Sequence, residues 1–346
     1  MKTEIIGEKE FFDGAFEKAA EIIRQGGLVV FPTETVYGLG GNAEDPNAAK
    51  KIYAAKGRPS DNPLIVHIAK PEDAEKYALT SEDYYRLAKK FMPGPLTVIL
   101  SKKDSIPTET TGGLDSVALR CPSNPVARAR IENAGVGIAA PSANISGKPS
   151  PTNADDVVCD MNGRVDMIID GGDCTIGLES TIVKLDENGK ATLLRPGGIT
   201  IDALRCVLDT VSIAPAVTEM LKENERPLSP GMKYRHYAPD APFVLLDGKR
   251  EDVLRFMKES EKDAVILCYD SETRELEGHL LIPIGDENDL TKEAHDLFSA
   301  LRRADRMNAS VIYAHLPPSE GIGLALYNRM LRAAAHTVRY IESKEA

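Results

Sequence analysis

The stretch Pro32–His67, PTETVYGLGGNAEDPNAAKKIYAAKGRPSDNPLIVH, runs from the end of one strand through a helix into the next strand, and the fold of the first half of the chain follows from it. Just before it, Gly27–Phe31 (GLVVF) is a short apolar run that reads as a buried strand ending at Pro32. Asp45 is placed to cap a helix whose first position is Pro46: a carboxylate accepts the free N–H groups of a first turn, and proline has none to satisfy there. Gly57 is expected to end this helix, with Pro59 preventing continuation. Leu64–Ala69 (LIVHIA) is the following strand, in which alternation sets His67 opposite Val66 and Ile68, able to point into a cleft.

The same stretch carries side chains suited to a ligand. Thr33, Thr35 and Tyr37 follow the first strand, Lys56 and Arg58 stand at the helix exit, and Asn62 and His67 lie before and within the second strand. Strand ends in α/β sheets converge where ligands bind. Two cations flanking a glycine, whose backbone can approach a ligand closely, suit a triphosphate. A blander alternative stays open: the cations can simply favour the helix C-terminus, and a single buried histidine is often structural.

Working outward, apolar strands are expected at Leu96–Leu100, Val117–Arg120, Gly137–Ala140, Met167–Asp170 and Thr181–Leu185, the last joined to Ala191–Leu194 by a turn at Asn188-Gly189. Helices are expected near 82–91, 124–133 and 153–160, the last with a start like a capping box at Thr152. From about 213 to 242, five prolines and little periodicity signal a linker, although it contains Lys233-Tyr234-Arg235-His236-Tyr237. Beyond it, strands at Phe243–Leu246, Ala264–Tyr269, Leu280–Ile284 and Val311–Ala314 alternate with helices over 250–260, 290–306 and 322–335, as in a small α/β domain with a mainly parallel sheet. The expected organisation is therefore 1–212, a linker 213–242, and 243–346.

Composition narrows the function. A chain of 346 residues is long for one core and suggests two domains. A net charge of −11, no tryptophan and 5% aromatics fit neither a duplex-binding face nor a stacking platform for single strands, though a locally basic pocket can still hold a nucleotide. The five cysteines are scattered without a CxxC pair, which suggests reduced thiols rather than a zinc site or disulfide framework. Met1 to Gly14 shows no signal-peptide pattern, and no apolar run approaches the ~20 residues of a membrane span. A cytoplasmic protein without membrane partners is expected. There is no G-x-x-x-x-G-K-[ST] loop, no dinucleotide fingerprint and no convincing metal-ligand spacing.

FPTETVYGLGGNA followed by KGRPSDNPLIVHI closely resembles the Sua5/YrdC family, the threonylcarbamoyl-AMP synthases. The resemblance continues at Pro93–Thr97 (PGPLT), Val117–Pro122 (VALRCP), Ala140–Gly147 (APSANISG), Gly177–Thr181 (GLEST) and Leu194–Gly198 (LRPGG). The linker SPGMKYRHYAP and the α/β tail resemble the longer Sua5 branch. What this implies is a YrdC-like twisted, largely open sheet domain followed by a small Rossmann-like domain. The implied reaction joins L-threonine, bicarbonate and ATP into threonylcarbamoyl-adenylate and pyrophosphate, for a tRNA threonylcarbamoyl transferase complex that makes the t6A modification. Such chemistry needs no side-chain nucleophile, only two anionic reactants held in line with their repulsion offset.

The resemblance places Thr35, His67, Arg120 and Ser180 around threonine, with the planar fork of Arg120 matched to its carboxylate. It places Lys56, Arg58, Asn62, Ser142, Asn144, Ser150, Arg195 and Tyr234 around ATP, with Lys56 and Arg58 offsetting charge. Mg²⁺ is expected to accompany ATP, held by phosphates and water. Because the adenylate is an anhydride open to hydrolysis, Tyr234, Arg235, His236 and Tyr237 are expected to fold back over the cleft as a lid. Two competing functions keep part of this frame: an RNA-binding module, and an enzyme that adenylates a carbamoyl group for a different acceptor.

Overall fold

The helix Pro46–Lys56 forms as its ends dictate: the Asp45 side chain accepts from the Asn47 N–H, Pro46 opens the first turn, and Gly57 closes it in the left-handed region at φ 64°. This helix belongs to a computed structural model of the protein that describes residues 2–219, 227–230 and 236–343. The chain divides into two compact units, Met1–Ser146 with Ser150–Lys233, and Gly147–Pro149 with Tyr234–Ala346.

Among the described residues, the first unit is built on one mixed sheet of eleven strands. They are β1 (Glu4–Gly7), β2 (Val29–Phe31), β3 (Gly38–Asn42), β4 (Ile65–His67), β5 (Leu96–Ser101), β6 (Ser116–Arg120), β7 (Ile138–Ala139), β8 (Met167–Asp170), β9 (Thr181–Leu185), β10 (Ala191–Arg195) and β11 (Val211–Ile213). The spatial order is β1-β8-β2-β3-β7-β4-β6-β5-β9-β10-β11. The Asn188-Gly189 turn joins β9 to β10 antiparallel, as its sequence predicts. One face of the β1–β8–β2 region carries Ile6, Val29, Phe31, Met167 and Ile169 against the helices Phe16–Arg24 and Pro125–Ala134.

Several elements depart from expectation. β3 is GLGGN, a composition that by propensity argues against a strand. Close approach explains it: a Cβ on Gly40 would stand 2.7 Å from Ile138 Cγ2, 2.8 Å from Arg130 Nη2 and 2.9 Å from Phe31 Cε1. Strands β1 and β11 and the helix Phe16–Arg24 also go beyond the sequence reading, and β11 runs across position 212. The helix Ala154–Met161 is capped by Asn153, whose side chain accepts from the Asp156 N–H at 2.9 Å, rather than by Thr152.

The second unit holds five strands, β12 (Phe243–Asp247), β13 (Val265–Cys268), β14 (Leu280–Pro283), β15 (Ile312–His315) and β16 (Val338–Tyr340), in the order β14-β13-β15-β12-β16. Every pairing is parallel, as expected for strands linked by crossover helices, here Arg250–Lys258, Leu290–Arg306 and Gly323–Ala333. Gly147–Pro149 is tied into this unit: Ala238 N–H donates to the Gly147 carbonyl at 2.9 Å, and Arg302 donates to the Pro149 carbonyl from Nε at 3.1 Å and Nη2 at 2.6 Å.

Gly40→Ala tests the close packing around β3. Overpacking there is expected to destabilise the first unit by about 1–3 kcal/mol, read as a lowered urea midpoint. An unchanged midpoint would mean that Ile138, Arg130 and Phe31 move aside freely.

Candidate active site

Lys56 ends its helix with only 1% of its surface exposed, so it does not merely solvate a helix terminus. Its ammonium donates to the carbonyls of Ser142 and Asn144, both at 2.5 Å, and to Asn144 Oδ1 at 3.3 Å. The Lys56 carbonyl in turn accepts the Ser146 N–H at 2.9 Å. Lysine and loop therefore hold each other. Within the loop, Ser142 Oγ donates to Asn144 Oδ1 at 2.5 Å, and Asn144 Nδ2 donates to the Ile145 carbonyl at 2.8 Å.

Arg58, on the other side of Gly57, is also buried and donates to the carbonyls of Asn62 at 3.3 Å and Pro63 at 3.0 Å. Asn62 has a buried Oδ1 without a hydrogen-bond partner. A Cβ added to Gly57 would meet nothing within 4 Å among the described residues.

The residues assigned to threonine form a row across neighbouring strands. His67 on β4 lies opposite Arg120 on β6, and Arg120 lies opposite Thr97 on β5. Thr97 Oγ1 meets Ser180 Oγ at 2.7 Å, and Arg195 donates to the Ser180 carbonyl from Nε at 3.0 Å and to its hydroxyl from Nη2 at 3.2 Å. Arg195 thus joins the amino-acid row as well as the nucleotide set to which the resemblance assigns it. Thr35 Oγ1 stands 2.9 Å from Thr33 Oγ1, which also donates to the Val36 carbonyl. The segment carrying these threonines is bonded to the loop that Lys56 clamps: Tyr37 N–H donates to the Pro151 carbonyl, and Ala143 N–H to the Tyr37 carbonyl, at 3.0 and 2.8 Å. Ser150, on the same loop, gives its hydroxyl to Glu179 Oε1 at 2.6 Å.

Electrostatics set what each group can do. Burial, and secondarily the Arg120 cation, push His67 down to about 3, so it is a neutral imidazole whose Nδ1 proton goes to the Ile65 carbonyl at 3.2 Å. Burial alone would raise the Glu34 carboxyl, but Arg120 beside it and the amide bonds it accepts hold it below the usual carboxylate range. Burial pushes the thiols of Cys121 and Cys174 up to about 11 and about 12, so neither supplies a thiolate at neutral pH.

Sequence reasoning missed Glu34, Thr97, Glu179 and Arg130. Glu34 and Glu179 had a signal, a lone acid within an otherwise small or hydroxyl-bearing motif. Arg130 had none: it is fully buried, stacks on Phe31 with its guanidinium 4.3 Å from the ring centroid, and has no hydrogen-bond partner among the described residues. Tyr234 and Arg235 lie outside the described residues. His236 and Tyr237 belong to the second unit, where Tyr237 is buried with its ring 5.1 Å from Phe298 and beneath the Arg329 guanidinium.

An α/β domain that gathers buried guanidinium groups, hydroxyls and a clamped ammonium, with no activated nucleophile among them, defines an enzyme that orients anionic reactants rather than attacking them itself. Comparison with known proteins makes this specific. Residues 21–197 match a family model described as telomere recombination, that of the Sua5/YciO/YrdC proteins, and residues 199–335 match the C-terminal domain of threonylcarbamoyl-AMP synthase. The threonylcarbamoyl-AMP synthase of Pyrococcus abyssi is 45% identical over 331 residues, 92% of this chain and 94% of that one. That of Bacillus subtilis is 41% identical over 348 residues, 98% and 99% of the two chains. The crystal structure of P. abyssi Sua5 complexed with L-threonine superposes with a TM-score of 0.88 at 42% identity, covering 99% of this chain and 100% of that one. The chain belongs to the Sua5 family of threonylcarbamoyl-AMP synthases.

His67 offers a direct check. In the unfolded chain it takes up a proton near 6.5, but in the native protein only near 3, so between those values the unfolded state binds more protons and stability falls as pH falls. NMR titration of the native protein is expected to show no His67 transition between pH 5 and 8; a midpoint near 6.5 would contradict the buried, neutral assignment.

Proposed function

We infer that this chain joins L-threonine, bicarbonate and ATP into threonylcarbamoyl-adenylate, releasing pyrophosphate. The observation that carries it is the row His67–Arg120–Thr97–Ser180–Arg195, bonded through the Thr33–Tyr37 segment to the loop clamped by Lys56. Relatives named for this activity align along nearly the whole chain, and one of them has been crystallised with L-threonine.

In this scheme Arg120 receives the threonine carboxylate, and Thr35 and Ser180 offer hydroxyls beside it. The threonine amine takes up bicarbonate as a carbamate with loss of water. A carbamate oxygen then bonds to the α-phosphorus of ATP as the bond to the β-phosphate bridging oxygen breaks, and pyrophosphate leaves. His67, being neutral, adds no charge that would hold the carbamate back. Arg58 and Arg195 offset phosphate charge, while Lys56 keeps its charge behind the loop that carries Ser142 and Asn144.

Mg²⁺ is read as arriving with ATP and neutralising its phosphates. Among the described residues no group of three His, Cys, Asp or Glu could hold a metal ion, and the donors around Lys56 are carbonyls already bonded to it. All five cysteines are free, in keeping with a reducing cytoplasm. No helix among the described residues is long and apolar enough to cross a membrane. The product would pass to an enzyme that transfers the threonylcarbamoyl group to tRNA.

The purified chain is expected to release pyrophosphate from ATP only when threonine and bicarbonate are both present. Release without the amino acid would rule this function out. The segment 234–237 is read as the cover that keeps water from the anhydride. A chain ending at Pro227 should make less threonylcarbamoyl-adenylate and more free AMP, and undiminished synthesis would remove that role.

A further inference from the structure

In the second unit β12 and β15 are neighbours, yet the chain leaves β12 for β13 on one side and leaves β15 for β16 on the other. Such a reversal puts the crossover helices on opposite faces and opens a crevice at the carboxyl ends of the strands. His315 is the last residue of β15, level with Leu246 of β12. Its Nε2 meets both carboxylate oxygens of Glu272 at 3.1 Å, and its ring stacks on Tyr269, just beyond β13, with centroids 4.8 Å apart. Glu272 is fully buried and also accepts the Tyr269 N–H and Arg250 Nε, each at 3.1 Å. The carboxylate thus fixes the imidazole, whose Nδ1 makes no hydrogen bond among the described residues.

Glu293, in the first turns of the helix Leu290–Arg306, approaches the same place. It is 2% exposed, and its Oε1 is buried without a hydrogen-bond partner. Burial, then Asp289 and Asp286 just before it, push its carboxyl up to about 8, so it is largely uncharged at neutral pH. Burial raises the Tyr269 phenol, and among the neighbouring charges that of Glu293 acts on it most strongly, ahead of Glu272, Glu287 and Arg250. The Glu293 carboxyl therefore faces the space beside Tyr269 and His315. A buried carboxyl with an unmet oxygen costs stability until a donor completes it, and no described residue does so.

Acids outnumber cations around this space, and Arg250 is already held between Glu272 and Glu287. A positive ligand is therefore favoured. A metal ion would need several carboxylates converging on one point, and no described group of three can supply them. An ammonium group needs one carboxylate and carries three donors of its own. We propose that this crevice binds a small organic cation, whose ammonium completes Glu293 while a neighbouring hydroxyl meets Tyr269 and His315 Nδ1. The site lies wholly within the second unit and stands independently of the reaction inferred above.

The probe is ethanolamine, with ethylene glycol as its uncharged counterpart, added to the full chain at constant ionic strength. Calorimetry should detect binding of ethanolamine but not of ethylene glycol, and in Glu293→Gln the affinity should fall about tenfold. Because Glu293 ionises to pair with the ammonium, binding at pH 7 should release about one proton, read from the heats in two buffers of different ionisation enthalpy. E293Q should release none, a contrast that a merely structural carboxyl would not produce. If E293Q fails to fold, the parent alone decides: carbon-13 NMR should show the Glu293 midpoint moving down when ethanolamine is added. The proposal is overturned by no binding at millimolar ethanolamine, by equal binding of ethylene glycol, or by E293Q affinity within about twofold of the parent. A Glu293 midpoint that ethanolamine leaves in place overturns it as well.

Discussion

A lysine ammonium cannot be buried without oxygen atoms to replace its water, and this constraint organises the first unit. Lys56 meets it with the Ser142 and Asn144 carbonyls and the Asn144 side chain. Because the Ser146 N–H returns a bond to the Lys56 carbonyl, the end of one helix and a loop some ninety residues later in the chain become one object. The loop is held from other sides as well, Ser142 bridging Gly38 and the Ile145 N–H donating to Asp160, so the cation is one of several contacts that set its shape. Through Tyr37 and Ala143 the same loop is bonded to the segment that carries Thr33, Glu34 and Thr35. The positions of the hydroxyls beside Arg120 therefore depend on the burial of a cation on a different element.

The buried charges are treated in three ways, and the differences are chemical. Lys56 and Arg58 both donate to backbone carbonyls, Lys56 to those of Ser142 and Asn144 and Arg58 to those of Asn62 and Pro63. Arg120 is paired with a carboxylate, and its charge is largely cancelled at the source. Arg130 has neither: it lies against the face of Phe31, where the ring quadrupole is its closest electrostatic support, and burial pushes its pKa down to about 9. Phe31 in turn presents its ring to His67 at 6.0 Å in an edge contact, and Arg120 and Arg130 both add to the burial that keeps His67 neutral. His67 is thus kept neutral by burial and by two guanidinium groups.

Much of this was legible in the primary structure. Asp45, Pro46 and Gly57 bound a helix because capping and left-handed closure are local effects, decided by residues within one turn of each other. Alternation in LIVHIA placed His67, and the NG dipeptide placed the β9–β10 turn. The spacing of motifs pointed to the family and to many of the side chains that the fold buries near one another, since they sit in short, distinctive runs. The choice of Thr152 over Asn153 as a helix cap shows the limit of even local inference, because adjacent residues offered the same chemistry and only the backbone direction selected one.

What lay beyond reach was whatever depends on residues far apart in the chain. No propensity makes a strand of GLGGN; it becomes one because Phe31, Ile138 and Arg130 come too close to its backbone for any side chain. Nothing around Glu34 marks it as the partner of an arginine 86 residues away, and nothing around Lys56 shows that it holds the Ser142–Asn144 loop. The amino-acid sequence alone determined the elements, their ends and the residue types needed to handle two anions. The tertiary structure alone decided that Arg120 received the Glu34 carboxylate and that Lys56 received the carbonyls of a distant loop, because such pairings depend on the low-dielectric surroundings created when distant segments close over a charge.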